Sequence, residues 1–110
     1  MRYSVFLTAG AERDIADLYD YVSAHDSVES AVRLLSGLNE AVLNLAELPL
    51  RGNVPKELAS IGAAGFRELH HKPYRIFYRI RGNDVFVVAI ADGRRDIQSF
   101  LRSRLVRLSR

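Results

Sequence analysis

Cysteine is absent from the 110-residue sequence. Its absence excludes disulfides, thiolate metal ligands and a cysteine nucleophile, and it fits the reducing cytoplasm, where we expect the protein to be located. Long apolar runs are absent too, since the longest covers only residues 85–91, whereas a membrane-spanning helix needs about 20 residues. The N-terminal region offers only residues 5–7 as an apolar stretch, so we expect neither a secretory signal nor contact with a membrane.

Aliphatic and aromatic residues make up 48% of the chain and charged residues 26%, which is typical of globular proteins. A chain of this length has room for one hydrophobic core but not for two. We therefore expect residues 1–110 to form a single domain.

The net charge of +3 is divided unevenly along the chain. Residues 1–65 hold five cationic and nine acidic side chains, a net charge of −4, whereas residues 66–110 hold eleven and four, a net charge of +7. Ten of those eleven cations are arginine. An arginine-rich half predicts a surface for phosphate groups or for an acidic partner, and the alternative is an ordinary solvated basic face.

The first half of the sequence predicts a strand followed by two helices. Apolar residues alternate within residues 2–7, as in a strand with one buried face. Thr8 suits the N-cap of a helix whose apolar residues recur at helical spacing. A second helix is predicted to begin near Ser27 and to end before Pro49. Because the link across residues 24–26 is short, we expect the two helices to form an antiparallel hairpin.

The second half predicts three strands and a last helix. Residues 66–71, 74–80 and 85–91 have the composition of strands separated by turns, and residues 96–108 carry an apolar stripe at helical spacing. Residues 49–65 are predicted to form a long connection. The expected architecture is an α+β fold. It begins with an N-terminal strand, continues with an antiparallel helix hairpin packed on one face of a mainly antiparallel sheet of about four strands, and ends with a C-terminal helix.

Alternation along residues 74–80 assigns their side chains to two faces. The face expected to pack on the helix hairpin consists of Tyr74, Ile76, Tyr78 and Ile80. The face expected to be free of helices consists of Arg75, Phe77 and Arg79.

Residues 85–91 are apolar on both faces, which predicts an interior strand. Its faces are expected to carry Phe86, Val88 and Ile90 on one side and Val87 and Ala89 on the other. Arg94 and Arg95 follow a glycine at the end of this strand and therefore lie at the rim of the sheet. A regular register would bring both of them near Arg75, where their planar guanidinium groups are suited to phosphate.

The order and spacing of several segments resemble the RelE/ParE superfamily of bacterial toxins. The segments are Gly65-Phe66-Arg67-Glu68-Leu69, Tyr74-Arg75-Ile76-Phe77-Tyr78-Arg79-Ile80 and Gly93-Arg94-Arg95-Asp96, together with the helix hairpin that precedes them. The resemblance extends over nearly the whole chain. It implies a small cytoplasmic toxin of a type II toxin–antitoxin pair, neutralised by a cognate antitoxin whose disordered C-terminal segment folds on the toxin.

Two activities occur in this superfamily, because RelE-like members cleave ribosome-bound mRNA without a metal ion and ParE-like members poison DNA gyrase. The nuclease hypothesis assigns catalytic roles to Arg75 and Arg95, which match arginines of RelE-like nucleases. It also needs Glu68 and His70, which fall on one strand face, as a base–acid pair. The alternative is that these two are solvated residues at a hairpin. The resemblance places a tyrosine of those nucleases near Leu101, so that residue is missing here.

The gyrase hypothesis needs a binding surface and no acid–base set. The residues expected to bind the target or the antitoxin are Arg67, Arg75, Arg79, Arg94, Arg95 and Arg102. Arg104, Arg107 and Arg110 extend the basic surface along the last helix. Because acid–base residues of the nucleases are missing while the arginines remain, we favour a ParE-like toxin with no metal, cofactor or small-molecule ligand.

Two further expectations concern the antitoxin. An amphipathic helix of the antitoxin is expected to dock in a groove along residues 15–22 and 34–45, and its acidic residues are expected to meet the arginine rim. A degenerate, non-toxic relative that only binds its antitoxin is a third possibility beside the two toxins.

Overall fold

The computed structural model describes residues 2–58 and 65–108, with side chains up to residue 105. Seven elements follow one another in the order strand, two helices, three strands and helix. They are β1 (Ser4–Leu7), α1 (Ala9–His25), α2 (Val28–Asn44), β2 (Phe66–His71), β3 (Tyr74–Arg81), β4 (Asp84–Asp92) and α3 (Ile97–Leu108). Residues 59–64 of the predicted long connection, and the side chains of Arg107 and Arg110, lie outside this description.

The four strands form one sheet in the order β1-β4-β3-β2. β1 runs parallel to β4, and the other neighbouring pairs are antiparallel. The predicted α+β fold is therefore confirmed, as is the interior position of β4. None of the helices in the described part of the chain is long and apolar enough to cross a membrane.

Polar caps define the start of each helix in the hairpin. The Thr8 hydroxyl accepts a hydrogen bond from the Ala11 amide at 3.2 Å, and the Ser27 hydroxyl accepts one from the Ser30 amide at 3.0 Å. Each cap occupies an amide that has no partner within the helix. α2 ends at Asn44 rather than just before Pro49, because the chain there tightens into turns.

The helix hairpin covers one face of the sheet, as the alternation predicted. Leu38, Val42 and Leu45 pack with Ile76 and Tyr78 in one buried cluster. The opposite face was expected to be free of helices, and that expectation is wrong. α3 returns onto it and buries Leu101 and Leu105 in a second cluster with Phe77, because the apolar stripe of α3 needs a surface to cover.

A β-bulge changes the faces of β4. Phe77 pairs with Ala89 and Tyr78 with Val87, so Val88 is an extra residue between them. Ile90 consequently lies in the cluster under the helix hairpin, while Ala89 lies with Val88 in the cluster under α3. The predicted alternation, which placed Val88 and Ile90 on one face, is wrong because a bulge shifts the pattern by one residue.

One ion pair binds the backbone around this bulge. The Asp14 carboxylate accepts a hydrogen bond from the Ile90 amide at 2.9 Å, and Arg104 donates to the Val88 carbonyl at 3.0 Å. Arg104 and Asp14 also form a salt bridge of 2.8 Å, which raises the pKa of Arg104. α1, β4 and α3 are thereby joined through polar groups that the bulge leaves without strand partners.

Candidate functional site

Arg75 on β3 lies between two carboxylates. Its Nε donates to Glu68 Oε1 at 2.6 Å and its Nη2 to Glu68 Oε2 at 2.9 Å. Nη1 and Nη2 donate to the two Glu57 oxygens, both at 2.8 Å. These bonds raise the pKa of Arg75, chiefly through Glu57, and the bond from Arg75 is the largest cause of the lowered pKa of Glu57. Two bidentate pairs therefore occupy most of the donors of one guanidinium.

Glu68 is the buried member of this cluster, with 2% of its surface exposed. Asn53 Nδ2 donates to its Oε2 at 3.1 Å, and Asn53 pairs with it through the backbone like a short extra strand. The register of β2 and β3 sets His70 opposite Arg75, and His70 Nε2 lies 3.1 Å from Glu68 Oε1. The suggested alternative of two solvated residues is wrong for Glu68, whereas the His70 side chain is half exposed.

A pocket of about 590 Å³ opens beside this cluster. Glu68, His70 and Arg75 form part of its wall, together with Tyr74 and Arg94. Burial raises the pKa of the Tyr74 phenol. The pocket therefore presents the carboxylate–imidazole pair next to Arg75 and Arg94, which is part of the residue set that the nuclease hypothesis requires.

The three arginines that were expected to converge do not share one pocket. Arg94 lines the Arg75 pocket but is exposed and bound to Asp92, with one contact of 2.5 Å. The bond from Arg94 is the main cause of the lowered pKa of Asp92. Arg95 instead lies over the Phe100 ring, 4.5 Å from its centroid, and lines another pocket between α1 and α3.

The remaining predicted arginines have separate environments. Arg67 donates to the Gly52 carbonyl at 2.5 Å. The Arg79 guanidinium lies 5.6 Å from the centroid of the Phe66 ring. Arg102 is exposed on α3. The six expected binding residues are thus distributed over several surfaces of the domain.

An apolar groove follows the outer side of the helix hairpin. Its volume is about 510 Å³, and its wall includes Leu7, Ile15, Val32, Leu35 and Val42. Val32 and Leu35 are 51% and 41% exposed. The groove overlaps the predicted docking site of an antitoxin helix at Ile15, Leu35 and Val42, whereas Leu7 and Val32 lie outside the predicted ranges.

Sequence reasoning missed Glu57 and Asn53, which complete the Arg75 cluster. Both belong to the long connection, whose residues have no periodic pattern that could place them against a strand. Tyr78 fixes the start of that connection, because its hydroxyl donates to the Pro49 carbonyl at 2.8 Å and accepts from the Gly52 amide at 3.1 Å. Within the described residues, no group of three or more histidine and carboxylate side chains is placed to hold a metal ion.

Comparison with solved structures identifies the class of fold. The chromosomal ParDE toxin–antitoxin system from Pseudomonas aeruginosa is similar with a TM-score of 0.70 and 20% identity over 83% of this chain and 96% of that one. The toxin–antitoxin complex RelBE2 from Mycobacterium tuberculosis is similar with a TM-score of 0.60 and 25% sequence identity, over 84% of this chain and 92% of that one. A doubly substituted Escherichia coli toxin RelE in the free state is similar with a TM-score of 0.62 and 16% sequence identity, over 98% of each chain. The architecture is that of RelE-like toxins.

Sequence comparison defines the family more narrowly. The family described as ParE toxin of type II toxin–antitoxin system, parDE, matches residues 5–97. The chain therefore belongs to the ParE toxin family within the RelE/ParE superfamily. No curated protein sequence gives a significant match.

Proposed function

We propose that this toxin arrests growth by inhibiting DNA gyrase and is neutralised by a cognate antitoxin. The observation that carries the choice of target is the enclosure of Arg75 by Glu57 and Glu68. A metal-independent ribonuclease needs free cations for the charge that develops on phosphate, besides a base and an acid. Here a substrate phosphate would have to displace both bidentate carboxylates from Arg75. The Arg75 side chain is 12% exposed, and those of Glu57 and Glu68 are 13% and 3% exposed.

The position expected for a nuclease tyrosine supports the same choice. Leu101 occupies it, and Leu101 is fully buried in the cluster under α3. A side chain facing the core at this position contributes nothing to a substrate pocket. Membership of the ParE family agrees with a toxin whose target is a protein bound through its surface.

A paired assay on the purified protein tests this proposal. Gyrase supercoiling and cleavage of ribosome-bound mRNA are measured with the same preparation. We expect loss of supercoiling and intact message. Arg94→Glu and Arg102→Glu alter exposed arginines of the proposed target surface and should weaken gyrase inhibition, whereas Arg51→Glu, on the connection after α2, serves as the control of equal charge. Cleaved message with unimpaired supercoiling would contradict the proposal.

The ribonuclease remains a second candidate because of the contact between Glu68 and His70. A carboxylate and an imidazole 3.1 Å apart, beside Arg75 in one pocket, could act as base and acid on a ribose hydroxyl and its leaving group. This candidate requires that Glu68→Gln and His70→Gln each abolish mRNA cleavage while the melting temperature shows a folded protein. Toxicity retained in both variants excludes this chemistry.

The hairpin groove is the proposed antitoxin site. Val32 and Leu35 expose apolar surface on the groove wall, and an amphipathic helix would bury it. We expect Val32→Asp to weaken the complex with the cognate antitoxin by at least about tenfold, because a carboxylate would then have to be desolvated. Val54→Asp is the matched control, since Val54 is 64% exposed outside the groove. Equal affinities would contradict this site.

Induced expression in bacteria distinguishes both toxins from a non-toxic relative. Growth arrest that co-expression of the antitoxin relieves is the expected result. Normal growth at a verified level of folded protein would favour the relative that only binds its antitoxin.

A further inference from the structure

A cationic pocket lies between α1 and α3, apart from the Arg75 cluster. It has a volume of about 640 Å³ and is lined by Arg13 from α1, Arg95 before α3, and Ser99, Phe100, Ser103 and Arg104 from α3. We call it the α1–α3 pocket. It shares no lining residue with the Arg75 pocket or with the hairpin groove.

The charges of this pocket do not balance. Arg104 is paired with Asp14, but in the described part of the chain Arg13 and Arg95 form neither a side-chain hydrogen bond nor an ion pair. The one acidic lining residue, Asp96, is bound to the start of α3 through the Ser99 amide at 3.1 Å and the Ser99 hydroxyl at 2.8 Å. Asp96 acts on Arg95 only as a nearby charge, so the pocket keeps an excess of positive charge from Arg13 and Arg95.

Aromatic packing holds one of these groups in place. The Phe100 ring contacts two guanidinium groups, that of Arg95 at 4.5 Å from the ring centroid and that of Arg104 at 5.0 Å. A guanidinium over the face of a ring keeps its N–H groups free to donate within its own plane, while the ring restricts its motion. Arg95 is thereby oriented for an anion, and less conformational freedom is lost when one binds.

We propose that the α1–α3 pocket binds phosphate groups of a nucleic-acid backbone. Guanidinium groups and serine hydroxyls are typical donors to backbone phosphates, and the guanidinium fork matches two phosphate oxygens. The basic surface also continues along α3, because Arg102 is exposed about one turn beyond Ser99. A row of cations fits a ligand with repeated negative charges rather than one isolated anion.

Binding of nucleic acid by the full-length protein alone, without gyrase or ribosomes, tests this proposal. The probes are a labelled 20-base-pair DNA duplex, a labelled 20-nucleotide single-stranded RNA and polyglutamate, titrated between 50 and 200 mM salt. The test variant is Arg13→Gln with Arg95→Gln. The control variant is Arg51→Gln with Arg81→Gln, which removes the same charge from two exposed arginines outside the pocket.

We expect the test variant to bind the duplex at least about tenfold more weakly. The slope of the logarithm of the binding constant against the logarithm of the salt concentration should decrease in magnitude by about 1.8, because two phosphate contacts are lost and each contributes about 0.9. For single-stranded RNA the expected decrease in this slope is about 1.4. The nucleic acid whose affinity falls more in the test variant is the one that the pocket prefers. The control variant should match the wild-type protein within about twofold.

Three outcomes would overturn the proposal. They are absence of nucleic-acid binding by the wild-type protein at 50 mM salt, equal losses in the test and control variants, and a loss confined to polyglutamate, which would make the pocket a site for an acidic protein. Because the assay contains no gyrase, each outcome is independent of the target proposed above.

Discussion

Removing the Arg75 charge should destabilise the protein strongly, and Arg75→Met is the change that shows it. Methionine keeps the apolar stem but removes the guanidinium group that Glu57 and Glu68 share. Their side chains are 13% and 3% exposed, so water cannot replace the lost bonds. The Asn53 amide and His70 would remain as partners of Glu68, and the charge of Lys56 would still act on Glu57.

The expected magnitude follows from the cost of an unpaired buried charge. Removing one partner of a buried ion pair costs about 3–5 kcal/mol, out of a total stability of about 5–15 kcal/mol for a domain of this size. With about 4 °C of melting temperature for each kcal/mol, Arg75→Met should melt about 12–20 °C lower than the wild-type protein. The triple variant Glu57→Gln, Glu68→Gln, Arg75→Met should recover most of that loss, because no buried charge is left unpaired.

Thermal unfolding followed by circular dichroism at pH 7 and pH 4.5 provides the assay. In the wild-type protein Arg75 lowers the pKa of Glu57 from its ordinary value of 4.5, so this contribution to stability is present at neutral pH and is lost as the pH falls through the lowered pKa. Without Arg75, the desolvation of the Glu57 carboxyl by burial raises its pKa, and the variant gains stability relative to the wild-type protein as the pH falls towards 4.5. A decrease in melting temperature of less than 5 °C at pH 7 would refute the ion-pair argument. So would a difference in melting temperature between the wild-type protein and Arg75→Met that is no smaller at pH 4.5 than at pH 7.

The other predictions concern contacts that position the site, and each is measured by the same thermal unfolding. Tyr78→Phe leaves the Pro49 carbonyl and Gly52 amide without their partner and should cost about 2 kcal/mol, or about 8 °C; a change under 2 °C would contradict the role of this hydroxyl. Gly52→Ala should cost about 1–3 kcal/mol, because a Cβ there would overlap the Glu68 carbonyl oxygen. Arg104→Met should cost about 3 kcal/mol by leaving Asp14 unpaired, whereas Arg102→Met on the exposed side of α3 should stay within about 0.5 kcal/mol.

Local patterns in the sequence were sufficient for the elements of the fold. β2 has the predicted bounds of residues 66–71, the predicted cap Thr8 begins the first helix, and the second helix begins at its cap Ser27, near which it was predicted to begin. These features depend on side-chain periodicity and on hydrogen bonds between residues three apart, both of which are local.

The features that were missed depend on contacts between distant segments. The bulge at Val88 is stabilised by Asp14 and Arg104, which are far from it in sequence. Glu57 reaches Arg75 because Asn53 pairs with the backbone of Glu68. No local pattern encodes either arrangement, since each depends on how the connection and α3 pack against the finished sheet.

The unequal charge of the two halves of the chain is partly a consequence of this packing. Arg75 and Arg104 come from the half with a net charge of +7, and the other half supplies Glu57 and Asp14 as their partners. Two of the eleven cations of that half are therefore neutralised by carboxylates of the other half inside the domain and are not offered to a ligand. Exposed arginines of that half remain at the sheet rim, at the end of β3 and on α3, and these are the surfaces on which gyrase, an acidic antitoxin or a nucleic acid could be bound by charge.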